Sequence, residues 1–244
     1  MAIYMHQLKN WPHLQWDEQA FISLLSEVRN LQGKLMGKIE LLGFQLKDEA
    51  NLETLIQDVI QTSEIEGEIL NPESVRSSIA TRLGLNYSGI ENTDRHVEGI
   101  VELMLDATQN TNKILSDERL FGWHAALFPT GRSGMHKIIT GAWRDGTMQV
   151  TSGAMGREII HFEAPKAEKV PTEMNHFLDW VENENKLDKV LKAALAHLWF
   201  VTIHPFDDGN GRVGRAITDM LLAQADDSSQ RFYSMSAQIQ IERN

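Results

Sequence analysis

Apolar residues recur at helical spacing along most of the chain, and this periodicity constrains the fold more than any other feature. Residues at i, i+3, i+4 and i+7 lie on one face of an α-helix. Only 6 of the 244 residues are proline, so few helices need to be interrupted. The sequence therefore predicts an all-α helical bundle, with apolar faces in segments 21–31, 52–60, 75–83, 97–104, 187–198, 213–221 and 232–239.

Capping residues mark several of the predicted helix ends. Asp17 precedes the first apolar face and is a favoured N-cap residue. Gly67 is expected to end the second helix. The pair Asn71-Pro72 begins the third helix and Gly84 ends it, because proline suits the first helical position and glycine the position after the last.

One region departs from the helical pattern. Between Gly141 and Pro165, two short runs are rich in β-forming residues, 148–151 and 159–162, and they flank a turn signal at Ser152-Gly153. The sequence therefore predicts a small β-hairpin flap inserted into the bundle.

The composition argues against several classes of function. The chain carries 23 Lys and Arg against 34 Asp and Glu, a formal net charge of −11, whereas nucleic-acid-binding domains need a basic surface to contact phosphates. The absence of cysteine excludes disulfides, thiolate zinc sites and cysteine nucleophiles. The sequence contains neither a signal-peptide pattern nor ~18 consecutive apolar residues. We therefore expect a cytoplasmic protein that binds neither membrane nor nucleic acid.

The segment HPFDDGNGRVGR, residues 204–215, combines charged residues and glycines between two apolar helices. A helix that begins near Asn210 would present unpaired N–H groups and a positive dipole to a phosphate. Arg212 and Arg215 lie on one face of that helix and could bind further phosphate oxygens. Asp208 could hold a Mg²⁺ that bridges phosphates, and His204 could accept a proton. The segment predicts a phosphate-binding site.

Three other motifs fit this sequence less well. Residues 209–214 match G-x-G-x-x-G, but a helical pattern precedes them where a dinucleotide site requires a strand. His197 with His204 and Asp208 could form a metal-hydrolase cluster, although His197 is better explained by helix packing. Residues 33–38 only approach the Walker A pattern. A solvated loop would not need this combination of residues.

The segment from His204 to Arg215 resembles the signature of the Fic (Fido) family, His-x-Phe-x-Asp/Glu-Gly-Asn-Gly-Arg-x-x-Arg, with every fixed position filled. Similarity extends to segments 141–144, 160–165 and 193–200, so residues 120–223 resemble the family's catalytic core. The resemblance implies an N-terminal helical region over 1–90 and a Fic-type bundle with a flap over 91–244. The C-terminal segment has no capping signal, so a truncated C-terminus is expected.

The resemblance also implies an activity, the transfer of AMP from ATP to a Ser, Thr or Tyr hydroxyl of a target protein. His204 would be the general base, with an unshifted pKa near 6.5. Phe206 would anchor the loop in the core, and Asp208 would hold Mg²⁺. The phosphates of ATP would contact Gly209, Asn210, Gly211, Arg212 and Arg215. An extended segment of the target would pair with the flap at Ile159, Ile160, His161 and Phe162.

A second motif resembles the family's inhibitory sequence, Ser/Thr-x-x-x-Glu-Gly/Asn. It consists of Thr62, Glu66 and Gly67. The resemblance implies a salt bridge from Glu66 to Arg215 that excludes a productive pose of ATP. By itself, the motif is more typical of an ordinary helix end with a solvated Glu.

Several functions remain open from the sequence. The leading hypothesis is an autoinhibited protein adenylyltransferase of bacterial type. The alternatives are a de-AMPylase, a Fic enzyme with another phosphate-containing donor, and a non-catalytic nucleotide-binding regulator. A homodimer is suggested by the resemblance alone.

Overall fold

The computed structural model describes residues 3–85, 94–152, 157 and 159–242. These ranges are mostly helical, which confirms the predicted fold class. The α-helices are α1 (Glu18–Glu40), α2 (Phe44–Ile65), α3 (Pro72–Arg82), α4 (Arg95–Gln109), α5 (Asp117–Leu127), α6 (Val170–Asn183), α7 (Lys189–Ile203), α8 (Asn210–Asp226) and α9 (Met235–Glu242). The strands are β1 (Arg132–Ser133), β2 (His136–Lys137), β3 (Gln149–Ser152) and β4 (Ile159–Glu163).

The hydrophobic core lies around α7 and α8, which pack side by side. It continues through α2, α3, α4, α5 and α6 without a break. Phe177, Phe200, Phe206 and Ile217 are fully buried at its centre. The helix α8 therefore has core side chains on most of its surface, and its N-terminal end is held in a fixed position.

The predicted helix ends are found where the capping residues stand. The Asp17 carboxylate accepts hydrogen bonds from the N–H groups of residues 19 and 20, and Asn71 does the same for residues 73 and 74. Gly67 and Gly84 follow α2 and α3 with φ of +82° and +69°. Glycine adopts this left-handed conformation without steric cost, so both helices stop there.

The buried face of α7 differs from the predicted one. The predicted face included Leu195 and Leu198, yet Leu195 is only half-buried and Leu198 is exposed. Most positions after Lys192 are apolar, so periodicity alone does not select one face. Packing against α6 and α8 selects a different set, which is Ala193, Ala196, Trp199, Phe200 and Ile203.

The apolar face of α1 is also placed unexpectedly. Phe21, Leu24, Val28 and Leu31 are all exposed, although such a stripe normally packs against a core. The helix contacts the rest of the molecule through another side, where Arg29 forms a salt bridge of 2.8 Å with Asp188.

The predicted hairpin is present as the antiparallel pair β3–β4, with a bulge between Val150 and Thr151. Its predicted turn at Ser152-Gly153 extends into residues outside the described ranges. A second, shorter antiparallel pair, β1–β2, was not predicted. None of the helices in the described ranges combines the length and apolar character needed to cross a bilayer.

Candidate active site

The site is built on a short loop between α7 and α8. The last residue before the loop, His204, has a left-handed φ of 53°, and Gly209 before α8 has a φ of 77°. The Asn210 side chain joins the two ends of the loop, because it accepts a hydrogen bond from the Phe206 N–H (2.9 Å) and donates one to the Phe206 carbonyl (2.8 Å). The side chain of Asn210 is thus used to shape the loop, and only its backbone remains to contact a phosphate.

Phe206 is the predicted anchor and is fully buried. Its ring stacks on the imidazole of His124, with centroids 4.2 Å apart and planes 6° from parallel. Trp143 packs against the same ring from another direction. These contacts fix the loop relative to α5 and to the segment that precedes the flap.

His124 was not predicted as a site residue. Its Nδ1 accepts a hydrogen bond from the Gly141 N–H (3.1 Å), so its proton lies on Nε2, which is 3.2 Å from the Asp208 carbonyl. Burial lowers the pKa of His124 to about 4, so the ring is neutral near pH 7. No spacing rule in the sequence links His124 on α5 to the signature, because α6 and α7 lie between them along the chain.

His204 lies at the end of α7 beside the loop. Its Nδ1 is 3.2 Å from the Val201 carbonyl, which selects a proton on Nδ1 and a lone pair on Nε2. Burial lowers the pKa of His204, and the cation of Arg144 acts in the same direction. The expectation of an unshifted pKa is therefore wrong. A neutral imidazole at neutral pH is the form that accepts a proton.

Arg144 connects the flap to this histidine. The guanidinium is buried; it donates to the His204 carbonyl at 2.7 Å and to the Pro165 carbonyl at 2.6 Å. Pro165 lies two residues after the end of β4. The base of the flap and the end of α7 therefore share one hydrogen-bonding group.

Asp208 is the residue predicted to hold Mg²⁺. Its carboxylate accepts from the Gly209 N–H at 2.5 Å and from the Ser133 hydroxyl. In the part of the chain that the structure describes, no group of three metal-ligating side chains is found. Mg²⁺ bound between one carboxylate and the phosphates of a nucleotide does not require such a group. A single carboxylate, that of Asp208, therefore fits a Mg²⁺ ion that binds together with its nucleotide.

Arg215 points toward α2 and is almost completely buried. Its Nε donates to the Thr62 hydroxyl at 2.6 Å, and its Nη2 donates to the Thr62 carbonyl at 2.9 Å. The same Nη2 contacts Glu66 Oε1 at 2.7 Å. The structure thus brings together the three residues named by the inhibitory motif and the signature. Burial lowers the pKa of Arg215, and the Glu66 carboxylate opposes that effect.

The other arginine of the signature is paired as well. Arg212 Nη1 is 2.7 Å from Glu68 Oε2, and its guanidinium lies 5.1 Å from the centre of the Phe128 ring. Glu68 was not predicted from the sequence, because it lies one residue beyond the inhibitory motif. Both arginines predicted to bind outer phosphates are therefore neutralised by carboxylates from the end of α2 and the residues after it.

The carboxylate of Glu66 also covers the start of α8. A Cβ added to Gly211 would lie 2.1 Å from Glu66 Oε1. The first N–H groups of a helix have no partner within the helix and attract anions. The carboxylate thus occupies the position at which a phosphate would be bound.

The four flap residues predicted to contact a target, 159–162, differ in exposure and in contacts. Ile159 and Ile160 are exposed. His161 Nε2 bonds the Ser152 hydroxyl across the hairpin at 2.6 Å. The Phe162 ring packs against Tyr4, with centroids 5.3 Å apart. The N-terminal segment therefore contacts the flap through Phe162, whereas Ile159, Ile160 and Val150 remain exposed on it.

His197, considered above as a metal ligand, packs against α8 beside Gly214. Its Nδ1 is 3.0 Å from the Thr218 hydroxyl on α8, and burial lowers its pKa. It serves the packing of α7 against α8.

Comparison with protein families gives two matches. Residues 114–222 match the model of the Fic/DOC family. Residues 4–85 match the model of a domain of unknown function, DUF4172.

Curated relatives carry one activity in their names. A probable protein adenylyltransferase of Aquifex aeolicus is 40% identical over 63 residues, which are 26% of this chain and 20% of that protein. The protein adenylyltransferase Fic of Aedes aegypti is 28% identical over 182 residues, 72% of this chain and 34% of that protein. The chain thus spans about a third or less of these two relatives.

Solved structures share the fold. A Fic domain containing signaling protein from Bacteroides thetaiotaomicron has a TM-score of 0.60 at 19% identity, over 80% of this chain and 72% of that chain. A Fic family protein from Desulfovibrio desulfuricans has a TM-score of 0.56 at 24% identity, over 96% and 70% of the two chains.

Proposed function

We propose that this chain, in which residues 114–222 match the model of the Fic/DOC family, transfers AMP from ATP to a hydroxyl group of a target protein. We also propose that residues 62–68 hold the activity off. The names of the curated relatives and the complete signature from His204 to Arg215 support the transfer. The observation that carries the inhibition is the pairing of Arg212 and Arg215 with Glu68 and Glu66 over the N-terminus of α8. Carboxylates of the same chain thus lie where the family resemblance implies the phosphates of ATP.

The transfer itself depends on His204. The target hydroxyl loses its proton to Nε2 of His204 as its oxygen attacks the α-phosphorus of ATP. The new bond from oxygen to the α-phosphorus forms as the bond to the β-phosphate oxygen breaks, and pyrophosphate leaves. The hydrogen bond from Nδ1 to the Val201 carbonyl keeps Nε2 unprotonated and directed away from α7. The low pKa of His204 keeps this atom ready to accept a proton near pH 7.

The phosphates are positioned by the start of α8. The backbone N–H groups of Gly211 and its neighbours would contact the inner phosphates, and Arg212 and Arg215 would contact the outer ones. Asp208 is the carboxylate that would hold Mg²⁺, which when bound neutralises charge on the phosphates. In transfers of this kind alignment and charge neutralisation supply most of the rate.

Inhibition follows from the same contacts. While Glu66 accepts from Arg215, that arginine is unavailable to the γ-phosphate, and the carboxylate repels the incoming anion. ATP would then bind weakly or in an unproductive pose. Residues 1–90 would in this sense regulate the catalytic region 91–244.

The test compares wild type with Glu66→Gly and with Glu66→Gly/His204→Ala. Each protein is incubated with Mg²⁺ and ATP labelled at the α-phosphate, and label in protein is measured. Binding of Mg²⁺-ATP is measured in parallel by calorimetry. Label should appear with Glu66→Gly and disappear when His204 is also replaced. ATP should bind more tightly to both variants than to wild type.

Glu64→Gly is the matched control, because Glu64 lies in the same turn but bonds Gln61 rather than an arginine. It should behave like wild type. Equal labelling of wild type and Glu66→Gly would overturn the inhibition. Labelling from γ-labelled ATP alone would overturn the choice of AMP. Tighter ATP binding with no labelling in any variant, even with added candidate targets, would favour the non-catalytic regulator.

A further inference from the structure

A cavity of about 560 Å³ lies between the N-terminal segment, α6 and α7. Its walls are formed by side chains of the segment 12–16, by the second half of α6 with the residues that follow it, and by Leu195 and Trp199 of α7. None of the lining residues belongs to the signature or to the inhibitory motif. The volume is that of a site for a small ligand. We call this space the α6–α7 cavity.

The N-terminal wall of the α6–α7 cavity is held in place on both sides of Trp11. The Trp11 ring packs against Trp199, with centroids 5.9 Å apart, and its Nε1 donates to the Glu173 carboxylate at 2.8 Å. Upstream, His6 Nε2 is 2.7 Å from the Glu163 carbonyl at the end of the flap. The segment is therefore anchored to α6, α7 and the flap, and the cavity is formed before a ligand enters.

Indole rings from three elements line the α6–α7 cavity. Trp16 belongs to the N-terminal segment, Trp180 to α6 and Trp199 to α7. The rings of Trp180 and Trp199 have centroids 5.3 Å apart and planes tilted by 48°. In the described ranges, no Lys or Arg lies over the ring of Trp16 or Trp180. Because the face of an indole is electronegative, these rings favour a cation.

Two carboxylates at the cavity lack a partner of opposite charge. Asp179 Oδ1 accepts from the Asn183 side chain at 2.8 Å, and Glu184 Oε1 accepts from the N–H groups of residues 186 and 187 at 2.6 and 3.2 Å. Within the described residues, neither carboxylate forms a salt bridge. The ammonium group of Lys192 lies near Glu184, but it is bonded to the carbonyls of residues 181 and 184 and does not line the cavity. The second oxygen of each carboxylate remains able to accept.

The lining therefore selects a planar cation with N–H donors. It contains no Lys or Arg, and the formal net charge of the chain, −11, attracts cations in general. A guanidinium group stacks on an indole face and donates two parallel hydrogen bonds to a carboxylate, whereas an ammonium group acts only as a point charge. We infer that the α6–α7 cavity binds a small molecule that carries a guanidinium group. This inference is independent of the proposed activity.

Three probes of similar shape test the ligand class. Dissociation constants of butylguanidinium, butylurea and butylammonium are measured at pH 8 from the shifts of the indole N–H signals in nuclear magnetic resonance spectra. Butylguanidinium should bind at least about tenfold tighter than its uncharged isostere butylurea, and about threefold tighter than butylammonium. Equal binding of butylguanidinium and butylurea, or no shift with butylguanidinium at 20 mM, would overturn the inference.

Charge-removing substitutions locate the site. Asp179→Asn and Glu184→Gln retain the hydrogen bonds within the chain, because the amide oxygen still accepts, and each should weaken butylguanidinium binding by about three- to tenfold. Glu182→Gln is the matched control, since Glu182 is an exposed acid of α6 that does not line the cavity. It should change the affinity by less than about twofold. Equal effects of all three changes would show attraction to the negative chain as a whole and would overturn the site.

Stacking has its own pair of variants. Trp180→Leu removes the aromatic face and should weaken butylguanidinium binding about tenfold, whereas Trp180→Phe should keep it within about threefold of wild type. Circular dichroism and the Tm of both variants establish that they fold. A Phe variant that binds as weakly as the Leu variant, while both are folded, would contradict the stacking.

A peptide arm separates a small molecule from the arginine side chain of a polypeptide, which offers the same group. The probe is a blocked Gly-Arg-Gly peptide, measured as above. Binding no tighter than that of butylguanidinium supports the small molecule. Binding more than about tenfold tighter would overturn that source, because the cavity would then recognise the peptide backbone as well.

Discussion

Glu66 Oε1 lies 2.7 Å from Nη2 of Arg215, so the residue that follows α2 is joined to α8 by a charge-assisted hydrogen bond. The arginine is almost completely buried, whereas the carboxylate side chain is about one third exposed. The exposed partner is thus the one that can leave without a large rearrangement. An ATP γ-phosphate would replace it with another anion of similar geometry.

Glu68 should contribute a second, weaker part of the inhibition. In the Glu66→Gly protein, a further Glu68→Ala change should tighten Mg²⁺-ATP binding by about two- to fivefold, because it frees Arg212. The effect is small because Glu68 is 44% exposed and such ion pairs contribute about 0.2–1 kcal/mol. Calorimetric titration measures it. Unchanged affinity would mean that Arg212 does not contact the nucleotide.

The pH dependence of the reaction should reflect the burial of His204. Its pKa is lowered from 6.5, so the neutral form persists as the pH falls to that value, and the rate declines only at lower pH. The Glu66→Gly protein is the one in which the rate is measured, because wild type is expected to be inhibited, and loss of the Glu66 carboxylate removes an interaction that raises the pKa of His204. The rate of label incorporation between pH 5 and 8 checks this. Half-maximal activity above pH 6.5 would contradict it.

His124 should make the fold sensitive to acid. Its pKa is about 4 in the folded chain against 6.5 as the ordinary value, so between these values the unfolded chain binds more protons. Stability is therefore lost as the pH falls from 6.5 to 4, by on the order of 3 kcal/mol at 1.36 kcal/mol per unit. Urea unfolding at several pH values should show a shallower decline for His124→Gln. The same slope in both proteins would contradict the assignment.

Two helical glycines should respond oppositely to alanine. At Gly99 on α4 an added Cβ would lie 1.9 Å from the backbone oxygen of Ala126 on α5, so Gly99→Ala should cost about 2 kcal/mol or more. At Gly122 on α5 nothing lies within 4 Å of the added Cβ. Gly122→Ala should stabilise the protein by up to about 1 kcal/mol through helix propensity. Urea unfolding measures both, and similar losses at both positions would contradict the close contact of α4 with α5.

Arg231 should be the most sensitive charged position outside the site. It is fully buried and lies 3.3 Å from Asp219, which is also fully buried, and 3.2 Å from Asp226. Arg231→Met leaves these carboxylates without their partner and should cost about 3–5 kcal/mol. Burial raises the pKa of Asp219 to about 6, so adding Asp219→Asn should recover part of the loss. Equal stability of the single and double variants would show that the two charges are not coupled.

The sequence predicted local structure, such as a helix end, correctly where a single residue type determines that structure. Asp17 and Asn71 cap helices because their side chains accept from nearby N–H groups, and Gly67 and Gly84 end helices because they adopt positive φ. The signature loop and the Glu66–Arg215 contact were also predicted, since the resemblance supplied both partners. The roles of these residues in catalysis and inhibition remain predictions.

The face that each helix buries depended on tertiary packing. On α7 most positions after Lys192 are apolar, so the spacing fits several faces, and the position of α8 selects the one that is buried. On α1 the spacing is clear, yet the face stays exposed because none of the described elements lies against it. Periodicity identifies an apolar surface without identifying what covers it.

What the sequence by itself determined was the helical fold class, the helix ends, the hairpin and the loop between α7 and α8, because these depend on residues close together in the chain. Only the tertiary structure placed Glu68 on Arg212 and His124 against Phe206. The members of these pairs are separated by 144 and 82 positions, and no local spacing rule connects them. Their contacts exist because the core fixes α2, α5 and α8 around the same loop.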